Sequence, residues 1–215
     1  MNLSQLNNYK LKLGLFFWLS IPEITLRKIL VESGFMEAPQ QLPSIFPGVQ
    51  VQVGPERVIA TYKSLKATWN EAKFSLGFEG NANDLLEVLK TIASTFDKYH
   101  YPLDKVCHYY EVNLAPFPLE TNAFVSKLRD EVTLELRVNN TVLKPFSISF
   151  SNVEEPISRE YFYKWMHVII NPDVNASQRR IFVQIIKRET RFNEIVIFIE
   201  NIPSIMESIK KLFSK

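Results

Sequence analysis

The chain has 215 residues, of which 46% are hydrophobic, 22% charged and 13% aromatic. That profile excludes a disordered chain and leaves enough apolar side chains for one large core or two small ones. Its 25 Lys and Arg nearly cancel 23 Asp and Glu, for a net charge of +2, so bulk positive charge cannot be the means by which it finds a partner.

The first predicted strand is "YKLKLGLFFWL", which alternates early and then turns wholly apolar. Ser20 and Glu23 have the spacing of a capping box, with Pro22 just inside the helix it opens. Leu26, Ile29 and Leu30 follow at helical spacing, and Gly34 can take the left-handed conformation that ends a helix. A proline-rich connection leads to "VQVQV" (49–53), "RVIATYKSLKATW" and "EAKFSLGFE", three strand segments. Asn83 is the expected N-cap of a second helix, whose apolar stripe runs through Leu85, Leu86, Leu89, Ile92, Ala93 and Phe96.

The grammar then repeats. "CHYYEVNLAPF" reads as a strand, "TNAFVSKLRDEV" as a short helix, and "TLELRVNN" and "FSISFSN" as alternating strands. "YFYKWMHVII", "RRIFVQIIK" and "EIVIFIE" read as long strands, the last apolar enough to be central, and "NIPSIMESIKKLF" as a closing helix with Pro203 near its first turn. "FSLGFEGNANDLLEVLKTIASTF" and "IVIFIENIPSIMESIKKLF" share one pattern of apolar strand, polar turn and amphipathic helix. The expected fold class is therefore α+β: antiparallel sheet covered by helices, in two similar strand–helix–strands–helix halves, residues 1–100 and 101–215, which can also form a single continuous domain. Doubly wound and barrel folds are excluded, because they need a helix after nearly every strand.

That element order, given twice, is similar to the architecture of the TATA-box-binding protein family. "FPGV" (46–49), just before a strand, resembles that family's segment there. The likeness covers topology and one tetrapeptide; the paired phenylalanines with which that family wedges DNA have no counterpart in matching strands. It implies a fold and transfers no function.

The chemistry-bearing residues are few. His100, Cys107 and His108 make a poor metal set, since neighbours on a strand point to opposite faces and His100 is seven residues from Cys107; no metal and no cofactor is expected. Cys107 is the one thiol nucleophile, with His100 or His167 as the base the fold would have to bring near, and a lone cysteine in "VCHYYEV" also reads as a small buried hydrophobe. Alternation sets Tyr161, Tyr163, Trp165 and His167 on one face of a strand, a row able to stack on a ligand or line an aromatic pocket. Arg179 and Arg180 at one end of the next strand, and Lys187, Arg188 and Arg191 at the other, form the candidate phosphate contacts.

These readings rank as follows. The first is a non-enzymatic binding protein that takes a protein or small-molecule ligand on the Tyr161–His167 face. The second is a nucleic-acid-binding module using the basic strand ends. The third is a thiol- or histidine-based enzyme with a pocket near Cys107 and His108. Homo-oligomerisation through sticky strand edges is a further expectation. No segment reaches the roughly 20 apolar residues of a membrane span, and a single cysteine fits a reducing, cytoplasmic setting.

Overall fold

The computed structural model describes residues 3–39, 56–133, 135–138, 141–152 and 163–213. "VQVQV", "FPGV" and Tyr161 lie outside them. Strand β1 (Lys10–Phe17) buries Leu11, Leu13, Leu15 and Phe17 and turns Lys10, Lys12, Gly14 and Phe16 to the other face. Helix α1 (Glu23–Glu32) begins after Pro22 with no side-chain cap. The expected capping box does not form, because Glu23 is drawn to two arginines instead: Arg27 at 2.8 Å and Arg57 at 2.6 Å. Gly34 (φ +97°) ends the helix. Its N–H donates to the Val31 carbonyl, and that of Phe35 donates to Leu30, both at 3.0 Å.

Strands β2 (Met36–Glu37), β3 (Glu56–Tyr62), β4 (Leu65–Asn70) and β5 (Ser75–Asn81) follow. Helix α2 (Ala82–Lys98) is capped by Asn81, not Asn83: Asn81 Oδ1 accepts the Asp84 N–H at 2.8 Å. The last strand residue is thus also the cap, so β5 runs straight into α2. A one-turn α3 (Leu103–Val106) leads into β6 (Cys107–Glu120), then α4 (Phe124–Glu131), β7 (Leu136–Val138), β8 (Thr141–Leu143), β9 (Ile148–Ser151), β10 (Trp165–Pro172), β11 (Arg180–Glu189) and α5 (Phe192–Phe213).

The segment "EIVIFIE", expected as a central strand, is helical and lies inside α5. Its buried residues Ile195, Phe198 and Ile199 continue into Ile202, Met206 and Ile209, a helical stripe that its β-branched composition conceals. Pro203 sits in the helix interior, where its missing N–H deprives the Ile199 carbonyl of a helical partner. The strand that precedes the closing helix is therefore β11.

Among the described residues nine strands form one sheet in the order β2-β3-β4-β5-β1-β6-β11-β10-β9, and every adjacent pair is antiparallel. β7 and β8 form a separate two-stranded ribbon. The β1–β6 ladder joins the strands before residue 100 to those after it, with Leu11, Leu13 and Leu15 opposite Leu114, Val112 and Tyr110. These six residues share one hydrophobic cluster with the buried stripes of α1, α2, α4 and α5. β6 carries Pro116 and Pro118 only beyond Leu114, where β1 has ended and one side of the strand needs no donor. No helix among the described residues is long and apolar enough to cross a membrane.

If residues 194–200 are helical, Pro203→Ala should raise the stability by about 1–3 kcal/mol, read from the urea midpoint at unchanged slope. Unchanged or lower stability would show that the proline does not interrupt a helix.

Candidate functional site: an aromatic row on the outer sheet face

Between Phe16 and Phe17 the β1–β6 register shifts: Phe16 pairs with Tyr109 and Phe17 with Cys107, so His108 is an extra residue in β6. Such a bulge re-aims side chains. Strict alternation would send His108 and Tyr109 to opposite faces; the bulge leaves both half-buried on the same side, away from the core residues Cys107 and Tyr110.

The rings and the guanidinium gathered there come from four parts of the chain. Phe16 stacks on Tyr109 with centroids 4.4 Å apart and planes 15° apart. Gly14 makes this arrangement fit, since a Cβ at that position would lie 2.7 Å from the Phe16 ring. Tyr109 stacks on Tyr163 at 5.5 Å, and Tyr163 lies 4.3 Å from the His108 ring. Trp18, whose backbone N–H donates to the Val106 carbonyl at 2.9 Å, closes the row on His108 at 3.3 Å. Trp18 is 59% exposed. Arg188 of β11 stands opposite both Glu111 and Trp165. Its guanidinium lies 4.8 Å from the Tyr109 ring and 5.2 Å from the Trp165 ring, and its Nε donates to Glu111 at 2.6 Å. A planar cation over aromatic faces is favourable, and the carboxylate fixes its orientation.

Burial lowers the affinity of His108 for a proton, so the imidazole is neutral at pH 7. Its Nδ1 is buried with no hydrogen-bond partner among the described residues. Burial raises the pKa of Tyr109, partly offset by Arg188, so the phenol keeps its proton. Among the described residues the site therefore presents ring edges, the protonated Tyr109 hydroxyl and one compensated ion pair. It has hydrogen-bonding and dispersion capacity, and its described residues carry no net charge to concentrate polyanions.

Of the predicted row, Tyr163 and Trp165 join this cluster. His167 lies further along β10, half-buried, opposite Ile186 and Ser151. The basic residues divide. Arg188 belongs to the row, whereas Lys187 projects to the other face, 3.5 Å from buried Glu189 and over the Phe198 ring of α5. Arg180 is about 26 Å away along the strand and is paired with Glu120 and Asp173. Arg179 and Arg191 are exposed beyond the two ends of β11. Phe16, Trp18, His108 and Tyr109 were not singled out as a surface by the sequence, because "FFW" and "HYY" look like core runs until the bulge is known.

The other chemistry-bearing residues of 98–112 have separate duties. His100 (φ +64°) is exposed at the end of α2. Asp104 accepts the Phe192 N–H at 2.8 Å and the Tyr110 hydroxyl at 3.3 Å, tying the start of β6 to the first turn of α5. Cys107 is buried, and burial pushes its thiol up to about 12. His167 is two strands away on the opposite face, so neither histidine stands beside the sulfur as a base. No three His, Cys, Asp or Glu side chains among the described residues group as metal ligands. Grooves among the described residues lie elsewhere. One, of about 680 Å³, runs between Tyr9 and the C-terminal half of α5; another, of about 460 Å³, lies beside α1 at Arg27 and Tyr99.

No protein-family model matches the chain, and neither curated proteins nor solved structures give a relative for it.

A protonated, buried Cys107 should resist alkylation in the native protein at pH 8 and react only on unfolding. The folded pKa lies above the unfolded one, so its stabilising contribution is complete below about pH 9 and is lost as the pH rises toward 12. Rapid modification of native protein at pH 8 would contradict this.

Proposed function

We propose that the chain is a non-enzymatic binding protein whose recognition surface is the aromatic row of Phe16, Trp18, His108, Tyr109, Tyr163 and Trp165 with Arg188, continuing to His167. One observation carries the reading: six rings and one guanidinium from distant parts of the chain converge, half-exposed, on the sheet face that does not build the core. Core packing does not need these rings on that side, and polar-tipped aromatics suit a surface that is wet when empty and dry when filled. Most ring faces are already occupied by neighbouring rings, so a ligand meets edges, hydroxyls and the outer part of Trp18. That favours a protein segment or a neutral, partly planar small molecule.

The nucleic-acid reading stands second. Arg188 on two rings resembles a base-stacking device, but Arg180, Lys187 and Arg188 would each have to give up a carboxylate to hold phosphate. The thiol enzyme reading has least support, given the protonation of Cys107.

We also read the chain as two similar halves, 1–100 and 101–215, with helices covering one sheet face. In each half the opening strand (β1 or β6) lies beside the strand that leads into the closing helix (β5 into α2, or β11 into α5). A cytoplasmic setting agrees with a lone buried thiol.

A fragment library of planar heteroaromatics and amides, screened by ligand-observed NMR against the intact chain, tests the site. Hits should lose at least about tenfold in affinity in Tyr109→Ala and Trp165→Ala variants that keep the native circular dichroism. Hits that survive both variants would overturn the site. Binding of oligo-dT that weakens steeply with salt would favour the second reading.

A further inference from the structure

The middle of the outer sheet face carries hydrogen-bonding capacity that the rings leave unused. Ile186 of β11 lies there, half-buried, with His167 opposite it on β10 and Asn113 opposite it on β6. Two residues to either side along its own strand, on the same face, stand Gln184 and Arg188. Ile186 is thus an apolar floor with an imidazole, two carboxamides and a guanidinium at its margins. Two strand spacings, about 10 Å, separate His167 from Asn113, and four residues of strand, about 13 Å, separate Gln184 from Arg188. A heterocycle of one or two rings lies flat in that frame.

The two carboxamides define what such a ring must offer. Gln184 Nε2 donates to Asn113 Oδ1 at 3.3 Å. Among the described residues nothing bonds the Asn113 amino group or the Gln184 carbonyl oxygen. Neither atom is buried without a partner, so both are open to solvent or ligand. The pair sets a donor beside an acceptor on neighbouring strands, and it does so whichever amide gives the bond between them. Its complement is a ring amide, whose N–H donates to Gln184 Oε1 and whose C=O accepts from Asn113 Nδ2. The backbone is shaped for this pairing of side chains. β6 sets Leu114 against Ile185 and Phe117 against Val183, so Ala115 and Pro116 together oppose Gln184. This second bulge in β6 gives Gln184 no polar side chain at its own level, and the amide turns to Asn113; bulges re-aim side chains in this way beside binding sites.

Charge narrows the ligand further. Arg188 is held by Glu111 at 2.6 Å, and Lys12, opposite Asn113 on β1, by Glu56 at 3.2 Å. Both cations bordering the frame are already compensated, which suits a neutral occupant.

We infer that this frame binds a neutral nucleobase or nucleoside with a ring-amide edge, of the uracil or hypoxanthine kind. Its face lies on Ile186, its amide edge on Asn113 and Gln184, and its far edge toward His167. The inference rests on the proposed recognition surface and names the ligand class of its polar half.

Uridine and inosine, titrated into the intact chain by calorimetry, should bind with a Kd below about 1 mM. 3-Methyluridine and 1-methylinosine, which lack the ring N–H, should bind at least about tenfold more weakly. That comparison uses the native protein and does not depend on the folding of any variant. Asn113→Leu and Gln184→Leu variants with native circular dichroism should each lose a similar factor. The inference is overturned if neither nucleoside binds below about 1 mM, if the methylated forms bind as well as their parents, or if both variants keep full affinity. It is also overturned if oligo-U binds more tightly than uridine and weakens steeply with salt, since the frame would then serve a strand and not a free base. Fragments that bind through Tyr109 and Trp165 while both nucleosides fail would remove this inference and leave the aromatic row standing. Nucleosides that need Asn113 and Gln184, yet survive Tyr109→Ala and Trp165→Ala, would support the frame and remove the rings from the contact.

Discussion

The ladder between β1 and β6 is the constraint on which the rest depends. Among the described residues it is the only seam in the sheet between strands from before and after residue 100, and it sets two things at once. On one face it brings Leu11, Leu13 and Leu15 against Leu114, Val112 and Tyr110, all 2% exposed or less, to form the middle of the core. On the other it puts Phe16 against Tyr109, from which the aromatic row extends. Because side chains alternate with a period of two, a slip of one residue would exchange these faces and bury Lys12 and Glu111. The hydrophobic term therefore fixes the register, and the register fixes the site.

The bulge at His108 is the one irregularity this arrangement requires. A regular strand carries either His108 or Tyr109 on a given face; the extra residue lets both stand on the outer one, where Tyr163 contacts each. The bulge lies where the chain emerges from α3, and Asp104 holds that entry by accepting from Phe192 and Tyr110. The closing helix and the mouth of the aromatic row are thus fastened through one carboxylate. Gly14 and Arg188 complete the arrangement from either side, one by leaving room for the Phe16 ring and the other by bridging Tyr109 and Trp165.

Much of this was legible in the residues. The period of two in "KLKLGLFF" gives the buried face of β1 correctly, Gly34 ends α1 in the left-handed conformation, and the mixed α+β character with antiparallel sheet follows from the order of segments. The failures have physical causes. "EIVIFIE" is rich in strand formers, but its burial follows the helical stripe from Phe192 to Phe213, so tertiary packing overrides local preference. Ser20 and Glu23 have capping-box spacing, yet two arginines compete for the carboxylate, and Arg57 lies thirty-four residues away, beyond local reading. Tyr163 and Trp165 were visible as a row by alternation. Their partners Phe16, Trp18, His108 and Tyr109 were not, because a bulge and a long-range pairing bring them together and neither leaves a mark in the local pattern.

The account stands or falls on the β1–β6 register, and cross-linking reads it directly. Lys12 and Asn113 face each other across that ladder on its outer side, at the spacing a disulfide can bridge, whereas Glu111 is one same-face step removed. Oxidation of Lys12→Cys/Asn113→Cys should close a disulfide quickly in the folded chain, with buried Cys107 left unreacted, and Lys12→Cys/Glu111→Cys should remain reduced under the same conditions. Cross-linking of the second pair in preference to the first, or of neither, would contradict the register and with it the placement of the aromatic row.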